Sequence, residues 1–139
     1  KGVCILSAKK KKPFLSDKKF MQKFGFEVAD TFENDYELLS LSFDGSKPAF
    51  AEAVKDPKVF DDALSIYYSP QCPYSADCIA QVKSFCEANA IGLRFIAIDT
   101  LEKAKSVPVF FNNWAVLYQG KFETVHLLNE GYLKKLLKI

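Results

Sequence analysis

One histidine, one methionine and one tryptophan stand among the 139 residues of this chain. Zinc would want Cys or His paired at close spacing. Cys72 and Cys78 with the distant His126 do not supply that set, so no metal is expected. No apolar run approaches the ~20 residues needed to span a bilayer. No secretory signal pattern opens the chain. Neither a membrane nor an export route is therefore expected. The net charge is only +2. Basic residues are spread out apart from Lys9–Lys12, and no nucleic-acid motif accompanies them, so nucleic acid is not an expected partner. Cysteines 4, 72, 78 and 86 are too widely spaced to read as a secreted disulfide framework. A reducing, cytoplasmic setting is expected. The first residue is Lys1 rather than Met, so a fragment or processed product is expected.

What is present is apolar mass. Apolar residues make up 49% of the chain, with 13 phenylalanines. That is ample for a packed core in one medium domain, or in two pieces of which one is small.

Two regions read differently. Gly2–Leu6 is a buried-strand pattern. A lysine-rich loop follows, then Ser16-Asp17 as a capping signal. Lys18–Phe24 reads as a short helix stopped by Gly25. Residues 26–32 and 36–43 read as strands, and Glu33-Asn34-Asp35 between them predicts a hairpin. Residues 44–48 are turn-rich, and Phe50–Val54 suggests a short helix. Beyond that point strands and helices alternate. Leu64–Ser69 is a strand. Pro73 to about Ala90 is a helix with Ala76, Ile79, Ala80, Val82, Phe85 and Cys86 on its apolar face. Leu93–Asp99 is a strand parallel to the first, because a helix crosses between them. Thr100–Lys105 is a short helix, and Ser106–Val109 an extended corner. Trp114–Tyr118 and Lys121–Val125 flank Gln119-Gly120, a hairpin signal. Asn129 can cap a last helix with Tyr132, Leu133, Leu136 and Leu137 inward.

The chemistry centres on Ser69-Pro70-Gln71-Cys72-Pro73-Tyr74-Ser75. A cysteine at a strand-to-helix junction meets unpaired N–H groups and the positive end of the helix, and both favour thiolate. Pro73 suits the first helical position. Ser75 stands where a second cysteine would complete a Cys-x-x-Cys pair. Cys78, six residues along a helix, is turned ~600° from Cys72 and reads as buried rather than resolving. Cys86 and Cys4 read as core. His126 reads as a solvent-facing residue on the last strand. Phe110, Phe111, Trp114, Tyr118 and Phe122 read as core packing, with a docking surface as the alternative.

The βαβ then αββα order, with Cys-Pro-Tyr-Ser after the first strand and Val107-Pro108 before the hairpin, resembles the thioredoxin fold over residues 62–139. The resemblance implies a cis peptide bond at Pro108, beside the active cysteine. The single-thiol form is similar to monothiol glutaredoxins, which carry Cys-x-x-Ser. It implies Cys72 as a nucleophilic thiolate, Ser75 as its hydrogen-bond donor and Pro108 as a wall for a thiol or disulfide partner. A single thiol would form a mixed disulfide and need an outside thiol to resolve it. Gln71 stands where the family places a lysine that helps bind glutathione. The alternative is a relict site in a non-catalytic interaction module.

Residues 1–46, with Lys23-Phe24-Gly25-Phe26 between a short helix and two closing strands, resemble the end of a GNAT-type N-acetyltransferase. Residues 47–61 read as a linker. The family's helix tyrosine, which protonates the departing coenzyme A thiolate, is matched by Met21, which has no proton to give. The pyrophosphate-binding glycine loop is absent from the sequence. The order of the two regions, with Lys9–Asp17 and Tyr67–Pro73, is similar to proteins with a YoaP-like C-terminal domain. This implies an α/β chain: a thioredoxin-like mixed sheet with flanking helices, preceded by a partial GNAT segment. It implies a longer parent enzyme that uses acetyl-CoA to acylate an unknown amine, with no cofactor for this fragment alone. Lys9–Lys12 reads as a solvated loop, with contact to coenzyme A phosphates as the alternative. A stand-alone monothiol oxidoreductase is the alternative function. Self-association through the open edge of the N-terminal strand is a further alternative.

Overall fold

A computed structural model describes residues 1–33, 35–57, 63–111 and 113–139. Contacts divide the chain into two compact units, Lys1–Lys55 and Asp56–Ile139.

The first unit contains β1 (Gly2–Ala8), α1 (Lys18–Gln22), β2 (Glu27–Phe32), β3 (Tyr36–Ser42) and α2 (Glu52–Lys55). Its strands form an antiparallel sheet in the order β1-β3-β2. Asp17 starts α1: its Oδ1 accepts from the backbone N–H of Lys19 at 2.8 Å and of Phe20 at 3.3 Å. Such a cap satisfies donors that the helix start leaves open. Gly25 ends this helical stretch at φ +84°, a left-handed conformation that suits glycine. Asn34, in the predicted hairpin turn, lies outside the described residues. Successive residues of β3 face opposite sides of the sheet. On one side Lys18 of α1 holds the buried Glu37, with Nζ 2.9 Å from Oε1 and 2.7 Å from Oε2. On the other, Phe50 packs on Phe32 with ring centroids 6.1 Å apart. There Asp30 accepts from the Phe50 N–H at 2.8 Å and pairs with Lys55 at 2.8 Å.

The expectation of a buried first strand is corrected. β1 is an edge, its first half is exposed, and Cys4 lies in the exposed part rather than the core. An apolar run cannot distinguish a strand covered on both sides from one at an edge.

The second unit contains β4 (Leu64–Tyr68), α3 (Ser75–Ala88), β5 (Leu93–Ala97), α4 (Leu101–Ser106), β6 (Trp114–Tyr118), β7 (Lys121–Thr124) and α5 (Glu130–Leu137). The sheet order is β5-β4-β6-β7, with β4 and β5 parallel and the other neighbours antiparallel. Gln119 (φ 50°) and Gly120 (φ 73°) make the β6–β7 turn. Two consecutive positive φ angles suit a type I′ hairpin. Both faces of the sheet are covered. Leu64, Ile66, Trp114 and Val116 pack with Val82 and Cys86 of α3 and Leu133 of α5. Ala115 and Leu117 pack with Ile98, Val107 and Val109. Each fully buried aliphatic side chain contributes about 1.5–3 kcal/mol of transfer free energy.

The helical stripe on α3 is also corrected. Ser75, Cys78, Val82 and Cys86 are buried, whereas Ala76 and Ala80 face solvent. Small residues carry little directional information, so the larger side chains set the face.

Candidate functional site

The Cys72 turn begins where β4 ends. Ser69 continues the ladder, its N–H donating to Asn113 O at 3.0 Å. Pro70 then has no N–H to continue it. The chain folds back: Gln71 N–H donates to Ser69 Oγ at 3.3 Å, and Cys72 N–H to Ser69 O at 3.2 Å. A second turn follows, in which Ser75 N–H donates to Cys72 O at 3.1 Å. Pro73 occupies the second position of that turn, where its fixed φ is favoured. Cys72 is half-buried, while Tyr74 beside it is 71% exposed.

Several expectations for this segment change. α3 begins at Ser75, so Pro73 precedes the helix and Cys72 is three residues before the first helical position. Tyr74 occupies the cap position without a side-chain hydrogen bond. The buried Ser75 hydroxyl donates to the Cys72 carbonyl at 2.7 Å, which assigns its proton to the backbone rather than to the Cys72 sulfur. The described residues contain no cis peptide bond, so Val107–Pro108 is trans. Val107 is extended at φ −65° and ψ 142°, the conformation that a following proline favours. β6 starts only at Trp114, so Pro108 does not open the strand directly.

The other cysteines separate cleanly. Cys78 is buried, and its Sγ donates to Leu128 O at 3.4 Å. Burial pushes both its thiol and that of Cys86 up, which makes them poor nucleophiles near neutral pH. The buried reading of Cys78 and Cys86 therefore agrees with the structure. All four described cysteines are free thiols.

Two clefts adjoin these segments. One, of about 390 Å³, lies beside the Cys72 turn, lined by Ser69, Pro70 and Gln71 with Asp99, Thr100 and Asn113. It opens at the C-terminal ends of the parallel pair β4 and β5, a common ligand position in such sheets. Its sequence signal is Thr100, which caps α4 by accepting from Lys103 N–H at 3.2 Å. The other, of about 460 Å³, lies in the first unit between the lysine loop and α1. His126 is exposed and follows β7 rather than lying in it.

Among the described residues no group of three or more His, Cys, Asp or Glu side chains gathers as a metal site. No described helix is long and apolar enough to cross a membrane. Acetyl-CoA does not fit the residues present. Met21 is a half-buried thioether without an acidic proton, and α1 and α2 of the first unit have no glycine-rich turn at their starts.

A family model described as YoaP-like matches residues 93–135, which lie within the second unit. The protein named Uncharacterized N-acetyltransferase YoaP, from Bacillus subtilis (strain 168), is 29% identical over 138 residues, covering 98% of this chain and 55% of that protein. The chain thus spans about half the length of the curated relative it matches. No solved structure matches it. The chain is a mixed α/β protein of two sheets, similar in sequence to an acetyltransferase-related family.

Proposed function

We propose that this chain is the C-terminal accessory part of a GNAT-family N-acetyltransferase, joined to a thioredoxin-like unit that carries one reactive thiol. The observation that carries the reading is the match to an N-acetyltransferase over 98% of the chain, which includes both units. The strand-helix-hairpin order of the first unit supports the GNAT part, and the order β5-β4-β6-β7 with one parallel pair supports the thioredoxin-like part. In this reading the parent uses acetyl-CoA on an unknown amine in the cytoplasm, and residues 47–61 join residues 1–46 to 62–139. The reading frame upstream of the Lys1 codon tests it. A frame encoding an acetyl-CoA domain, whose product acetylates an amine while the 139-residue chain does not, is the expected result. A start codon immediately ahead of Lys1 would overturn it.

The half-buried Cys72, on a turn while Cys78 and Cys86 are buried, favours a second reading as a thiol–disulfide site. The Cys72 sulfur attacks one sulfur of a partner disulfide. That S–S bond breaks, a mixed disulfide forms, and the departing thiolate takes a proton from water. An outside thiol then resolves it. Ser75 and Pro108 would shape the turn and the ligand wall. Iodoacetamide labelling in a Cys4→Ser background tests this, with Cys72 expected to react faster than a free peptide thiol. An equal or slower rate overturns this thiol reading and favours an interaction module. In that reading the exposed edge of β1 recruits a second copy, and sedimentation would reveal a dimer.

A further inference from the structure

We infer that the cleft between β7 and α5 binds a small zwitterion, an ammonium and a carboxylate on an apolar body, of the chemical class of the free apolar amino acids. The site lies in the second unit and depends neither on acetyl transfer nor on Cys72. The cleft measures about 380 Å³, within the usual range for small-molecule sites. Glu123 of β7 lines it together with Tyr132, Lys135 and Leu136 of α5.

A break in the sheet sets the position of Glu123. Leu117 pairs with Phe122 and Val116 with Thr124, so a single step along β6 spans two residues of β7. Glu123 is the extra residue, a β-bulge with no opposite partner. β7 is also an outer strand of its sheet. Bulges on sheet edges re-aim a side chain and are common next to functional sites.

Opposite charges meet at this cleft without pairing. Glu123 is half-buried and has no ion-pair partner among the described residues. Burial pushes its carboxyl up, and the field of Lys121 offsets this only in part. A cation in the cleft relieves the cost of holding that carboxylate charged. Lys135 is exposed and likewise lacks a carboxylate partner among the described residues. The helical spacings that could supply one carry Gly131 and Tyr132 before it, and Lys138 and Ile139 after it. Glu130, the acid of this helix, is engaged by Lys134 at 2.7 Å.

The remaining wall is apolar and anchored. Tyr132 and Leu136 pack against the core of the second unit. Asn129 caps α5 by accepting from Tyr132 N–H at 2.9 Å, which fixes the start of the helix. A simple amine satisfies Glu123 and leaves Lys135 bare, and a simple carboxylic acid does the reverse. A zwitterion satisfies both, and its apolar body covers Tyr132 and Leu136.

NMR chemical-shift titration of the intact chain with L-leucine, isoamylamine and isocaproate tests the site. These probes share one apolar body and differ in their charged groups. Leucine is expected to bind at least about tenfold more tightly than either of the others, a difference of about 1.4 kcal/mol. It should move the amide signals of Glu123, Tyr132 and Lys135. Glu123→Gln should weaken leucine and isoamylamine at least about tenfold and leave isocaproate unchanged. Lys135→Gln should weaken leucine and isocaproate and leave isoamylamine unchanged. A folding defect would weaken every probe alike, so the crossed pattern separates recognition from instability. Glu87→Gln on α3 should bind as the parent does. No leucine binding, leucine no tighter than the single-charge probes, uniform weakening of every probe, or an equal loss in Glu87→Gln would overturn the inference.

Discussion

The two units are held together by different physics. In the first, charged pairs join separate elements: Lys18 to Glu37 across α1 and β3, Lys55 to Asp30 across α2 and β2, and Lys12 to Asp35 across the lysine loop and the hairpin turn. In the second, sheet side chains at or near zero exposure dominate on both faces. Among the described residues, the pairs Lys83–Glu87, Lys103–Asp99 and Lys134–Glu130 each lie four residues apart in sequence. A three-stranded sheet with short helices has little apolar area to bury, so the charges that position those helices matter more. A four-stranded sheet covered on both faces buries more apolar side chains.

The contrast can be tested by substitution, from the largest effect down. Leu117→Ala in the second unit should cost about 2–5 kcal/mol in urea unfolding, followed by the fluorescence of the buried Trp114. A loss below about 1 kcal/mol would show that the second core tolerates truncation and would erase the contrast. Glu37→Gln should cost the first unit about 1–3 kcal/mol, because Lys18 is left part-buried with a neutral partner. Hydrogen exchange of β3 amides reads that loss, and unchanged protection would make the pair incidental.

Acid should affect the units differently, although Lys103 and Lys134 also hold Asp99 and Glu130 of the second unit below the usual carboxylate range across exposed local pairs. The Lys55 hydrogen bond holds Asp30 below the usual carboxylate range, and the Lys12 hydrogen bond does the same for Asp35. A depressed folded pKa contributes stability that is present above the unfolded value of about 3.9 and is lost as pH falls through the folded value. Burial pushes Glu123 of the second unit up. Its protonation therefore favours the folded form as pH falls through its raised value toward the unfolded value of about 4.3. Exchange measured from pH 5 downward should show protection lost first in the β2–β3 hairpin. Simultaneous loss in both units would break the comparison. The smallest effect should be Lys83→Ala, within about 0.5 kcal/mol by thermal unfolding, because both partners of that pair are largely exposed.

Much of the fold was legible in the residues. The capping signals at Asp17 and Asn129, the stop at Gly25 and the hairpin at Gln119-Gly120 each stand at the structural positions expected of them. Local chemistry suffices there, because the groups that interact lie within a few residues of each other. The site was less legible. The type and spacing of Cys72, Pro73 and Ser75 did not indicate that the Ser75 hydroxyl turns to a carbonyl or that the helix starts after Pro73. Both depend on how the chain leaves β4.

The sequence alone therefore determined element order, the α/β class, the helix caps and the two buried cysteines of α3, since these follow from local bonding and from the spacing of large apolar side chains. Only the tertiary structure decided which strand is an edge, and so why Cys4 is exposed while Cys86 is buried. It also decided which lysines find carboxylates. Lys12 and Lys18 meet partners more than 15 residues away, whereas Lys9 and Lys19 find none among the described residues. A run of like charges looks uniform in sequence, and the fold divides it by bringing distant acids to some of its members.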